Sequence, residues 1–124
     1  MKFLTVDDAK VLRTILKTIV ENYNPDAVVL EATNGEEGLK ILSTNPDVQM
    51  VFVDWNMPVL NGYELVKRIR ANEIYKNLKI IMATTESGRD KVTEAAKIGI
   101  NGYIIKPFSQ EIVEKVIKKY FEAK

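Results

Sequence analysis

Five short apolar runs, each separated from the next by a longer stretch with helical spacing, restrict what this chain can fold into more than any other feature. The runs are Lys2–Val6, Ala27–Ala32, Met50–Asp54, Lys79–Thr84 and Gly102–Lys106. An unbroken apolar segment such as Met50-Val51-Phe52-Val53 suits a strand covered on both faces, the habit of parallel sheets. Between the runs, apolar residues recur on one face of a 3.6-residue period. Val11, Leu12, Ile15, Leu16, Ile19, Val20 and Tyr23 form one such stripe, and Ile112, Val113, Val116, Ile117, Tyr120 and Phe121 another. Shorter stripes are Leu39 with Leu42, then Leu65, Val66 and Ile69, then Val92, Ala95 and Ala96. Strand–helix alternation of this kind, with connections long enough for right-handed crossovers, predicts an α/β fold with a doubly wound, five-stranded parallel sheet, and the expected order is the common 2-1-3-4-5.

Local punctuation agrees. Asn34 with Glu37 and Asn61 with Glu64 have the spacing of capping boxes. Ser87 and Ser109 stand where N-caps of the fourth and fifth helices belong, and Pro25, Pro46, Pro58 and Pro107 fall between elements. A length of 124 residues with 46% hydrophobic composition suits one domain over residues 1–124, with no further effector domain. Lys and Arg number 18 against 17 Asp and Glu, a net charge of +1, so neither nucleic acid nor an anionic membrane is expected as partner. No apolar window is long enough to span a bilayer, and the N-terminus reaches Asp7-Asp8 too soon for a signal peptide. A cytoplasmic monomer is the expectation. The chain has neither cysteine nor histidine. That excludes disulfides, Ser-His-Asp triads, His-ligated zinc and imidazole acid–base chemistry, and leaves carboxylates, Lys, Thr, Tyr and a hard metal ion.

Polar residues gather at the C-terminal ends of particular strands. The first ends in Asp7-Asp8, the third in Asp54, the fourth in Thr84 and the fifth in Lys106. In the order 2-1-3-4-5 the first and third strands meet at the topological switch point, where open α/β sheets bind ligands. An unpaired carboxylate cannot sit in the core, and three carboxylates in one crevice repel one another unless a cation lies between them. Carboxylate oxygens with waters and a phosphate oxygen suit Mg²⁺. Single acids at strand ends are often only solvated or capping residues, and Asp8 is a candidate cap for the first helix. Three acids with Thr84 and Lys106 at one edge point instead to a site.

These residues carry a resemblance. Val6-Asp7-Asp8, Asp54-Trp55-Asn56-Met57-Pro58 with Asn61-Gly62, Thr84, and Tyr103 with Lys106-Pro107-Phe108 occur in the order found in response-regulator receiver domains, notably CheY-like chemotaxis regulators. The resemblance covers essentially the whole chain and implies the flavodoxin-like, CheY-like version of the fold. It implies that Asp54 is a phosphoacceptor in a two-component system, with a phosphohistidine in a partner histidine kinase as donor. Asp7, Asp8, Asp54 and the backbone carbonyl of Asn56 would hold Mg²⁺. Lys106, its bond to Pro107 cis, would pair with a phosphoryl oxygen, and Thr84 would hydrogen-bond the phosphate. Tyr103 would then move, altering the surface of the fourth helix, fifth strand and fifth helix, the family's usual output face. That face would meet a flagellar switch protein, and a phosphatase is a further possible partner. Ala9 stands where many receivers carry a small polar residue, which leaves capping of the first helix to Asp8. Thr85 is bulkier than the Ala or Gly frequent there. Asn56 and Glu86 match types that influence the rate of phosphoryl loss in chemotaxis members.

Other residues read more plainly. Met57 and Pro58 shape a loop, Trp55 is expected to be partly exposed beside the site, and Lys115, Lys118 and Lys119 form a solvated helix face or a docking patch for an acidic partner. Three other functions remain to be weighed. A single-domain receiver in a non-chemotactic phosphorelay shares every motif. A flavodoxin-like electron carrier shares the topology, but Asp7-Asp8 would repel the FMN phosphate. An aspartyl-phosphate phosphatase would want an acid where Asn56 stands.

Overall fold

The computed structural model describes residues 1–121. Strands β1 (Lys2–Val6), β2 (Val28–Ala32), β3 (Met50–Val53), β4 (Lys79–Thr84) and β5 (Gly102–Ile105) alternate with helices α1 (Lys10–Tyr23), α2 (Gly35–Thr44), α3 (Gly62–Arg70), α4 (Arg89–Lys97) and α5 (Gln110–Phe121). A single 3-10 turn, Glu73–Tyr75, follows α3. The sheet is parallel throughout, as the alternation predicted, and its order β2-β1-β3-β4-β5 is the expected one. Register pairs Val6 with Val53, and Thr84 with Ile105, so β1 and β3 end level with each other.

Two buried clusters cover the faces of the sheet. Leu4, Val51, Leu65, Ile69 and Met82 belong to the one under α2, α3 and α4, and Phe3, Phe52, Ile81, Val113 and Ile117 to the one under α1 and α5. Because β3 is sandwiched between them, all four of its residues are buried, which is why its apolar run is unbroken. The helical stripes are wider than the faces the sheet buries. Val11 and Ile15 are exposed, and α1 buries Leu16, Ile19 and Val20. A helix on a sheet has one contact arc, and residues on its flank stay in water. Among α4 residues Ala95 is the buried one, while Val92 and Ala96 are exposed.

The caps follow the sequence in three of the predicted places. Asn34 Oδ1 accepts from Glu37 N at 2.9 Å, Asn61 Oδ1 from Glu64 N at 2.9 Å, and Ser109 Oγ from Ile112 N at 3.2 Å. Two expectations fail. The N-cap of α4 is Gly88 rather than Ser87, without a side-chain bond, and the N-cap of α1 is Ala9, not Asp8. Asp7 does the local work instead, its Oδ1 accepting from Ala9 N at 2.9 Å. The β1–α1 turn is so short that the carboxylate two residues before Ala9 reaches the free N–H first.

Candidate functional site

The site is built at the C-terminal edge of β1, β3, β4 and β5. The ladder runs one residue past β1 and β3: Asp7 N donates to Ala32 O and Asp54 N to Val6 O, each at 3.0 Å. Both acids are therefore fixed at the backbone just where the core ends. Their side chains are nearly closed off, with 7% of Asp7 and 10% of Asp54 accessible, and Lys106 at 6% completes the group. Lys106 Nζ lies 2.6 Å from Asp7 Oδ2 and 3.4 Å from Asp54 Oδ2. Lys106 N donates to Thr84 O at 2.9 Å, and the Lys106–Pro107 bond is cis. Asp8 is exposed beside the buried pair. Asp7, Asp8 and Asp54 each offer a carboxylate oxygen, all within 4.8 Å of one another. This oxygen-only donor set fits a hard divalent cation, so the acidic group could hold a metal ion.

Burial raises the pKa of Asp54 above the ordinary carboxylate value, opposed by the charge of Lys106 and reinforced by that of Asp7. The Tyr103 phenol is also shifted upward, first by burial, then by Glu86 and Asp54. These groups meet in the β4–α4 loop. Thr84 is fully buried, and its Oγ1 accepts from Glu86 N at 3.3 Å. Tyr103 Oη donates to Glu86 O at 2.5 Å. Asn56, exposed in the β3–α3 loop, donates through Nδ2 to Glu86 Oε2 at 2.7 Å. The start of this loop thus meets the β3–α3 loop, the end of β4 and the aromatic of β5.

The β3–α3 loop is tightly constrained. A Cβ on Gly62 would lie 2.1 Å from Asp54 O, so only glycine lets α3 start against the back of the acid. Val59 has φ 68°, in a γ-turn closed by Leu60 N donating to Pro58 O at 2.7 Å. Trp55 corrects the expectation of partial exposure: it is buried at 7%, stacked on Tyr63 with centroids 5.5 Å apart and covered by Lys91 Nζ at 4.6 Å. The covering groups come from α3 and α4, so nothing near Trp55 in sequence announced them.

Sequence reasoning also missed Arg70. Its guanidinium donates to Gly99 O at 2.8 Å, Tyr75 O at 3.0 Å, and Leu78 O and Asn101 Oδ1 at 2.9 Å each. Gly99 has φ 101°, and a Cβ there would press on the Arg70 side chain at 3.2 Å. Burial lowers the Arg70 pKa from its usual value. A basic residue in the last turn of a helix normally reads as solvated, which hides this role.

Comparison with known proteins agrees with this geometry. Residues 3–118 match the family described as the response regulator receiver domain. A chemotaxis protein CheY homolog of Campylobacter jejuni is 43% identical over 118 residues, covering 95% of this chain and 90% of that protein. Chemotaxis protein CheY1 of Helicobacter pylori is 41% identical over 118 residues, covering 95% of this chain and 94% of its own. The solved structure of the Vibrio cholerae chemotaxis protein CheY4 superposes with a TM-score of 0.88 at 31% identity, covering 97% of this chain and 98% of that one. With its sheet order, its edge carboxylates and these relatives, the chain belongs to the response regulator receiver domain family, alongside proteins of the CheY type.

Proposed function

We propose that Asp54 is the phosphoacceptor of a CheY-like chemotaxis regulator, loaded by a partner histidine kinase in a Mg²⁺-dependent reaction. The observation that carries this reading is the placement of Lys106 Nζ between Asp7 and Asp54, with Asp8 within reach of the same point. One carboxylate oxygen of Asp54 attacks phosphorus, the P–N bond of the donor phosphohistidine breaks, and its electron pair returns to the imidazole. The donor is on another chain, since this one has no histidine. Asp7, Asp8, Asp54 and the Asn56 carbonyl would hold Mg²⁺, which would supply positive charge to offset that of the phosphoryl group. Lys106 turns its ammonium from Asp7 to a phosphoryl oxygen as a point charge. Thr84 gives its hydroxyl to another oxygen, drawing the β4–α4 loop inward. Glu86 moves with that loop, so the Tyr103–Glu86 bond is remade and the ring shifts. The phosphoryl group needs only a few kcal/mol of preference for the second arrangement to shift the populations.

The output surface is the face of α4, β5 and α5. It carries exposed Val92 of α4, Ile105 of β5, and Ile112 with Lys115 and Lys119 of α5, a surface suited to an acidic amphipathic segment; Lys118 lies instead over the Tyr23 ring of α1, 5.9 Å from its centroid. The relatives are named chemotaxis proteins, which supports a chemotaxis role; the partner in this reading is a flagellar motor switch protein, met in the cytoplasm, with a phosphatase as a second visitor. A receiver in a non-chemotactic phosphorelay is the alternative, and a pull-down with an acyl-phosphate mimic at Asp54 separates them by the partner recovered. For the chemistry itself, incubation with Mg²⁺ and a small phosphodonor should add one phosphoryl group by intact mass. Asp54→Asn accepting it at an unchanged rate would refute the assignment.

A further inference from the structure

We propose that Arg13 is a positioning residue for the metal-binding acids, its guanidinium fixing the Asp7 carbonyl and thereby the direction in which Asp8 presents its carboxylate. The inference rests on the reading of Asp7, Asp8 and Asp54 as a divalent-cation site.

The Asp7 Oδ1–Ala9 N bond spans the β1–α1 turn but leaves the Asp7 carbonyl itself to Arg13. Helix α1 begins without a side-chain cap at Ala9 and without an acid in its first turn. Asp8 is exposed, so its orientation is inherited from the backbone between Asp7 and Ala9. Arg13 Nη1 donates to Asp7 O at 2.7 Å. The peptide joining Asp7 to Asp8 is planar, so fixing its oxygen fixes the plane and with it the start of Asp8. Arg13 is anchored in turn: Nε donates to Glu31 Oε1 at 3.0 Å, and Glu31 lies on β2 in register with Thr5 of β1. The Arg13 side chain is only 11% accessible. The guanidinium therefore spans from the first turn of α1 to the sheet and clamps the turn between them. A planar fork makes two such directional bonds at once, which a lysine ammonium on a flexible stem does not reproduce. Partners of this outer kind orient metal-binding carboxylates and typically change affinity by an order of magnitude or more.

Positioning and plain electrostatics predict opposite signs here. Removing a cation near three carboxylates should tighten cation binding if charge alone matters. Removing a clamp should weaken it. The experiment is a titration of wild type, Arg13→Lys and Arg13→Met with MgCl₂, followed by Trp55 fluorescence and by calorimetry, with metal-free melting of each variant alongside. The expected result is a loss of about ten-fold in Mg²⁺ affinity in both variants, because Lys keeps the charge but not the fork. Wild-type affinity in Arg13→Lys, or equal or tighter binding in Arg13→Met, overturns the proposal. A merely structural role lowers the metal-free melting temperature and leaves affinity in the folded range unchanged. If Arg13→Met does not fold, Arg13→Lys decides. Absence of Mg²⁺ binding by wild type is a different failure, since it removes the metal reading itself.

Discussion

Replacing Val59 by asparagine should stabilise the protein, even though the residue lies in the loop between Asp54 and α3. Val59 sits at φ 68°, where its branched Cβ crowds the backbone. For a non-glycine residue such a conformation costs about 1–2 kcal/mol. The side chain offers little in return, since Val59 is 77% exposed and buries only a fraction of one valine, worth well under 1 kcal/mol. Asparagine tolerates positive φ, so Val59→Asn should gain about 1 kcal/mol, or roughly 3–5 °C in melting temperature for a domain of this size. Glycine removes the strain completely but adds about 0.4–1 kcal/mol of unfolded-chain entropy, so Val59→Gly should gain less. Alanine keeps a Cβ at the same φ and should stay near wild type. The assay is urea unfolding of all four proteins in metal-free buffer, with equal m-values required for the comparison. Val59→Asn no more stable than wild type, or Val59→Ala as stable as Val59→Asn, would show that the turn carries no strain of this kind.

Other perturbations test the site and the opposite end of the sheet. Because the folded pKa of Asp54 is raised by burial, its contribution to stability is fully present below the ordinary carboxylate range and is lost as pH rises through the raised value. Asp54→Asn, which cannot ionise, should be more stable than wild type at pH 7 in EDTA, and the advantage should vanish near pH 4; an equal advantage at both pH values contradicts the burial argument. Millimolar Mg²⁺ should raise the melting temperature of wild type, and Asp8→Asn should blunt that shift. No shift in wild type counts against the metal site. Arg70→Met should destabilise by roughly 2–4 kcal/mol, because Gly99, Tyr75, Leu78 and Asn101 lose their shared donor. That loss should be constant between pH 5 and 8, since guanidinium does not titrate there, and a loss under about 1 kcal/mol would mean water replaces it.

The strands were legible because each apolar run is bounded by polar or turn residues, and the parallel, doubly wound sheet followed from the alternation and the handedness of crossovers, with 2-1-3-4-5 taken as a common order for such a sheet. The acid cluster was legible for a related reason: a charge at the end of a buried strand has only one place to go. What stayed hidden depends on contacts between residues distant in sequence. Trp55 is buried by Tyr63 and Lys91, and Arg70 is satisfied by carbonyls as far away as Gly99. Val59 was hidden for the opposite reason, since its residue type argues against the backbone conformation it adopts. The exposure of Val11 and Ile15 shows the limit of periodicity, which finds the apolar side of a helix but not how much of it the sheet can cover.

The carboxylate cluster also sets an order of arrival. Asp7, Asp8 and Asp54 carry three formal negative charges against Lys106, and the nearby Arg13 is itself paired with Glu31, so the local formal charge is −2 in a chain whose total is +1. Within a Debye length of about 8 Å that local excess outweighs the distant surface charges. Such a field favours a divalent cation and opposes an anionic phosphodonor until a cation has neutralised the crevice. If Asp54 is the phosphoacceptor proposed above, encounter with the donor would depend on contacts made elsewhere on the surface, and at low cation concentration the rate of loading should fall because the donor cannot approach, before any step at Asp54 is reached.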